Sequence, residues 1–177
     1  PTNFIFENVK GLISSNEGWD FAKMQIEFSE AGYDIEWQLL DSQDFGVPQH
    51  RERIYVVGHI REKSIPRVFP IRKSTKNDIC ENKNAISKQC SYTLRTNYSH
   101  GWSNETYVED TNKIRTFTEI ECERLQGFPD NWTKYGLNEK NEIYQISKSK
   151  RYRALGNAIT VNVVEEIIRR LYGNNRI

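Results

Sequence analysis

The sequence predicts an α/β fold with a small, irregular second lobe, and three observations predict it. Apolar runs and one amphipathic stretch alternate as strand, helix, strand within the first 60 residues. Residues 61–112 are polar, contain Pro66 and Pro70, and show little periodicity. Helical patterning then returns near Thr118 and continues close to the C-terminus.

Phe4-Ile5-Phe6 is a short apolar run ending at the polar pair Glu7-Asn8, as expected of a buried strand that stops at a turn. It reads like the middle of a sheet, so the chain is expected to begin partway through a larger fold. Trp19 to Ala31 reads as a helix. Trp19, Ala22 and Ile26 share one face, Phe21, Met24 and Phe28 lie beside it, and Gly32 is placed to end it. Asp34 to Leu40 and Arg53 to Ile60 read as strands, the second rich in β-branched residues. Strand, helix and strand in this order imply a parallel sheet. Thr118-Glu-Ile-Glu121 is a capping-box pattern opening a helix that Gly127 stops. Asn162 to Tyr172 is a final amphipathic helix, with Arg169 and Arg170 at its negative end. No internal repeat is visible.

Hydrophobic residues make up 37% and charged residues 28% of the 177, enough for a core in one compact domain with an appendage. No apolar run approaches the roughly 20 residues of a membrane span. No signal-peptide pattern stands at the N-terminus. Three cysteines without metal-like spacing predict neither a disulfide framework nor a metal site, and fit a reducing cytoplasm. The net charge of +1 hides a segregation: residues 1–48 carry a net −7 and residues 49–76 a net +6. Lys148, Lys150, Arg151 and Arg153 add a second basic stretch. Such asymmetry suits a basic face for a polyanion; a solvated basic surface is the plainer alternative.

Three stretches can carry chemistry. Glu7 lies at the carboxyl end of a strand, the edge where open α/β sheets bind ligands. A partly dehydrated carboxyl there can give a proton or hydrogen bond to a ring nitrogen, though it could also simply cap the next turn. In Gln49-His50-Arg51-Glu52-Arg53, an extended backbone sends Gln49, Arg51 and Arg53 to one side. Two guanidiniums and an amide suit a phosphate or a carbonyl-bearing base edge, or else bridge to carboxylates of the acidic segment. Leu155-Gly156-Asn157-Ala158 reads as a Gly-Asn turn before a helix, able to approach a ligand closely, with an ordinary turn as the plainer reading.

In order, the chain presents Glu7-Asn8-Val9, then Gly46-Val-Pro-Gln-x-Arg51-x-Arg53, then Glu121-x-x-Arg124-Leu-Gln-Gly-Phe-Pro129, then Leu155-Gly-Asn-Ala158. This series resembles the C-terminal half of the DNA cytosine-5 methyltransferases, across essentially the whole chain. The resemblance implies the C-terminal part of a Rossmann-like, S-adenosylmethionine-dependent methyltransferase sheet plus a small target-recognition domain. Residues 1–60 and 147–177 would belong to the catalytic domain and 61–112 to the recognition region, with 113–146 organising it. The substrate would be double-stranded DNA with its cytosine flipped out.

By the same resemblance, Glu7 would act at the cytosine N3, Arg53 at its O2, and Asn8 would order the neighbouring loop. Gln49 and Arg51 would support them, Arg51 near the DNA backbone. Thr93, within Tyr92-Thr93-Leu94, would meet a phosphate beside the flipped base. Arg95, Asn97 and His100 are the candidate base readers, since Arg suits guanine and Asn suits adenine in the major groove. Asn157 and Ala158 would touch S-adenosylmethionine. Cys122, on the capped helix, reads as a packing residue rather than a nucleophile.

The family's Pro-Cys nucleophile motif and its Gly-rich cofactor turn do not occur in this sequence. The chain is therefore expected to be a fragment or split subunit of such an enzyme, inactive alone. Its partner would be the N-terminal methyltransferase half or another copy, in a bacterial or phage-encoded setting. Two alternatives are a non-catalytic DNA-binding remnant and part of an RNA cytosine-5 methyltransferase.

Overall fold

A computed structural model describes residues 1–62, 66–72, 91–92, 108–110 and 113–173. In chain order the elements are β1 (Asn3–Val9), α1 (Trp19–Glu30), β2 (Tyr33–Asp41), β3 (Gln49–His50), β4 (Glu52–Ile60), β5 (Ser91–Tyr92), β6 (Val108–Asp110) and β7 (Lys113–Arg115). They are followed by α2 (Glu119–Leu125), β8 (Tyr135–Leu137), β9 (Ile143–Gln145), α3 (Lys148–Asn157) and α4 (Val161–Tyr172).

The main sheet has the order β1-β4-β2. β1 and β2 run parallel to each other, but β4 lies between them and pairs antiparallel with both. The sheet is thus mixed, not parallel as expected. β4 takes the centre because Ile54–Gly58 is buried continuously, with apolar residues on both faces. That pattern identifies an interior strand but carries no information about its direction. Gly58 is required at the crossing: a Cβ there would sit 2.2 Å from the Phe4 ring on β1.

Each face of the sheet has its own cover. On one face, Ile54 and Val56 pack with Phe6, Ile35 and Met24 around Phe21 of α1. α1 turns differently from expectation. Phe21 is buried, whereas Trp19 and Ile26 stand 69% and 57% exposed. Phe4 and Phe6 meet Phe28, and Trp37 meets Phe21 edge-on, so the aromatic side of the helix wins the sheet. On the other face, Tyr55, Val57 and Leu40 pack with Val163, Ile167 and Leu171 of α4 and with Val68, Phe69 and Ile71. No described helix is long and apolar enough to cross a membrane.

A smaller cluster, Cys122, Leu125 and Leu155, joins α2 to α3, with Phe128 packed against it. The capping box forms as the sequence predicts: Thr118 Oγ1 accepts from the Glu121 amide, and the Glu121 carboxylate accepts from the Thr118 amide at 2.7 Å. Gly127 ends the turn at φ +78°, where a Cβ would meet Asn162 Oδ1 at 2.2 Å. Beneath this turn Glu123 is wholly buried. It accepts from the Asn131 and Thr133 amides and from Arg151 Nη2 at 2.9 Å, and it also meets the Thr133 hydroxyl. Burial works against its charge, but these donors outweigh it and hold the carboxyl below its ordinary value. α3 itself and the β8–β9 hairpin were not legible in the sequence. Asn157 is the last residue of α3, so Leu155–Ala158 is a helix end rather than a free turn.

Arg151→Met leaves Glu123 buried without its cation and should cost about 3–5 kcal/mol, read from the shift of the urea midpoint. Glu121 is lowered from 4.5 to about 2, first by its hydrogen bonds from Arg115. A depressed carboxyl stabilises fully above its unfolded value, and that contribution is lost as pH falls toward the folded one. The melting temperature should therefore drop between pH 4.5 and 2, and drop less in Glu121→Gln.

Candidate functional site

β1 and β4 bring two distant motifs together. The pairing sets Val9 opposite Arg53 and Glu7 opposite Tyr55, so Glu7 and Arg53 lie diagonally on adjacent strands. Arg53 Nε stands 3.1 Å from Glu7 Oε1, with the two side chains 15% and 21% exposed. Arg53 Nη1 donates to the Glu52 carbonyl at 2.8 Å. The pair therefore sits at the carboxyl end of β1, anchored but open to a ligand. Glu7 does not cap the following turn, which begins at Val9 without a side-chain cap. A carboxyl beside a fixed guanidinium can engage a ring nitrogen and the neighbouring carbonyl of a planar heterocycle together.

The surroundings are desolvated. The Tyr55 hydroxyl is pushed up, first by burial and then by the Glu7 charge. Arg51 is lowered to about 10, first by burial and then by the like charge of Arg53, and stays protonated at neutral pH.

Arg51 faces inward. It is 3% exposed, and its Nη2 donates to the Ala158 carbonyl at 2.9 Å and the Gly156 carbonyl at 3.4 Å. The guanidinium is thus directed to the α3–α4 junction. Its amide donates to Asp41 Oδ1 at 2.9 Å, and Asp41 Oδ2 holds His50 Nδ1. Around this anchor runs a buried polar chain. Thr160 donates to Gln126 Oε1 at 3.0 Å and lies 2.7 Å from Ser42 Oγ. Gln126 Nε2 donates to the Leu155 carbonyl at 3.1 Å, and the Val161 amide donates to the Gln126 carbonyl at 2.9 Å. The 3-10 turn after β2, the end of α2 and the α3–α4 junction are thereby tied to the strand carrying Arg53.

The other predicted residues divide clearly. Gln49 is wholly buried and pairs with Ser91 through the short parallel β3–β5 bridge. Asn8 lies on the opposite face from Glu7, and its Oδ1 accepts from the Val9 amide. Asn157 is exposed and Ala158 half-buried, at the junction that Arg51 holds. Thr93, Arg95, Asn97 and His100 lie outside the described residues. Cys122 is buried and its thiol is pushed up to about 12 by burial, as befits a packing residue. The sequence reading missed Ser42, Thr160 and Asp41. Gln126 stood inside a recognised motif, but single hydroxyl and carboxylate residues with no spacing partner give no signal by themselves.

Known proteins provide an independent comparison. Type II methyltransferase M.BsuFI of Bacillus subtilis is 28% identical over 94% of this chain and 46% of its own length. Orphan methyltransferase M.Rho11sI of Bacillus phage rho11s is 35% identical over 85% of the chain and 27% of its own length. The chain spans about half the length of M.BsuFI and of M.SsoII of Shigella sonnei (46% and 53%). Among solved structures, Schizosaccharomyces pombe Dnmt2 methyltransferase aligns with a TM-score of 0.65 at 21% identity, over 95% of this chain and 64% of that one. The Entamoeba histolytica methyltransferase EhMeth aligns at 0.67 and 15% identity, over 100% and 64%. These likenesses show the Rossmann-like methyltransferase fold. The family described as C-5 cytosine-specific DNA methylase matches residues 1–106 and 72–173. That match covers nearly the whole chain, and the chain belongs to the C-5 cytosine-specific DNA methylases.

Proposed function

We propose that this chain is the cytosine-binding and DNA-recognition part of an enzyme that methylates C5 of cytosine in duplex DNA. The observation that carries the reading is the meeting of Glu7 and Arg53 at 3.1 Å on a partly open sheet end. The cytosine reaches them flipped out of the duplex, since its reacting carbons are inaccessible inside the stack. Arg53 stays paired with Glu7 through Nε while Nη1 donates to the Glu52 carbonyl, which anchors the guanidinium. Its remaining edge serves the base O2 and stabilises the negative charge that grows there when a nucleophile adds at C6. Glu7 turns one oxygen to Arg53 and offers the other to N3, donating a proton or hydrogen bond as the ring becomes electron-rich.

Addition at C6 requires a thiolate. Cys122 does not supply it, being buried and held protonated, and no cysteine of the chain follows a proline. The reading therefore assigns the nucleophile to a complementing N-terminal methyltransferase part, making this chain a fragment or split subunit. S-adenosylmethionine, when bound, supplies an electrophilic methyl group. Asn157 would meet it with an exposed amide, and Ala158 and Ile159 with adjacent apolar surface, on backbone that Arg51 holds still. Residues 61–112 are the proposed recognition region, with Thr93 on a phosphate and Arg95, Asn97 and His100 reading bases.

The test mixes this chain with the N-terminal half of a relative and follows labelled methyl transfer to unmethylated genomic DNA. Glu7→Gln and Arg53→Ala should each lower turnover about 10²–10³-fold. Unchanged rates would remove both residues from the reaction. Transfer to structured RNA but not to duplex DNA would reassign the substrate. The chain alone should bind duplex DNA with an affinity that falls steeply between about 50 and 200 mM salt. Salt-independent binding, or none, would contradict the recognition role.

A further inference from the structure

Residues 66–72 follow β4 and stand at the start of the proposed recognition region, yet Val68, Phe69 and Ile71 are buried against Tyr55, Val57 and α4. The backbone of this segment is held by side chains. The Glu36 carboxylate accepts from two successive amides, Val68 at 2.8 Å and Phe69 at 3.0 Å. The Gln38 amide accepts from the Ile71 amide at 2.7 Å and donates to the Ile71 carbonyl at 2.9 Å. From the other side, Arg170 Nη1 donates to the carbonyls of Val68 at 3.2 Å and Pro70 at 3.1 Å. Arg170 is itself oriented by Glu166 at 2.7 Å.

This clamp shares a row of the sheet with the site. Glu7 stands opposite Tyr55 on β4, and Tyr55 stands opposite Gln38 on β2. Neighbouring strands are about 4.8 Å apart, so Gln38 lies roughly 10 Å from Glu7 across a rigid ladder. The 66–72 segment is thus set relative to the carboxyl proposed to face the base.

We propose that Glu36, Gln38 and Arg170 are positioning residues that clamp the 66–72 segment, the start of the proposed recognition region, in register with the Glu7–Arg53 pair. The proposal rests on the function given above. It makes no use of a catalytic role for the three side chains, none of which touches the reacting atoms. A clamp of this kind acts on how well DNA is seated, and much less on the chemical step once it is seated.

The test uses Glu36→Gln and Arg170→Ala. Glu36→Gln keeps the shape but turns one acceptor oxygen into a donor facing an amide N–H. Hydrogen exchange of the full chain should show the Val68, Phe69 and Ile71 amides protected, and at least about tenfold faster in either variant, with Ile54–Val57 unchanged. In the complemented methyl-transfer reaction on genomic DNA, KM for DNA should rise at least about fivefold while kcat stays within about twofold. Acceleration of all amides together would mean general destabilisation and overturn the clamp. An unchanged KM in an active wild-type background would overturn its positioning role. Absence of transfer by the wild type would instead sink the functional reading, a different and separable failure.

Discussion

The guanidinium of Arg51 is the contact on which the site depends. It is almost fully removed from water, and its Nη2 is spent on the carbonyls of Gly156 and Ala158, far away in sequence. A buried cation is costly unless its donors are used, so the arrangement holds only while β4 and the α3–α4 junction stay in place. Two residues on, Arg53 inherits that fixed backbone and meets Glu7. The same contact immobilises the residues proposed to face the methyl donor. The Glu7–Arg53 pair and the α3–α4 junction are therefore joined through one strand.

Buried polar groups do much of the organising. Glu123 gathers Arg151, Thr133 and the Asn131 amide beneath the α2 turn. Ser42, Thr160 and Gln126 form a second chain beside Arg51. Glu36, Gln38 and Arg170 form a third around residues 66–72. Each joins segments that share no strand pairing. Apolar packing would bring such segments together without fixing their register, because it is not directional. Hydrogen-bonded carboxylates, amides and guanidiniums add that direction.

Sequence patterning reached a good part of this. The helix from Trp19, the strands around Ile35 and Ile54, the Thr118 cap and the Gly127 stop are all local features, decided by residues within a turn or two. The pairing of Glu7 with Arg53 was accessible only through the order of the motifs, since nothing within either stretch points to the other. The outward turn of Trp19 and Ile26 was not accessible at all. α1 has apolar residues on more than one side, and the choice among them was made by Phe4, Phe6 and Trp37 on the sheet.

By itself, then, the sequence determined β1, α1, β2, β4, α2 and α4, the Thr118 cap and the inert burial of Cys122. The tertiary structure alone decided that β4 enters the sheet antiparallel between β1 and β2, and that Arg51 turns inward while Arg53 stays accessible. It alone drew residues 66–72 into the core. The reason is physical: local patterns report which side of a chain avoids water, whereas direction, partner and register are fixed by contacts between segments that no local pattern encodes.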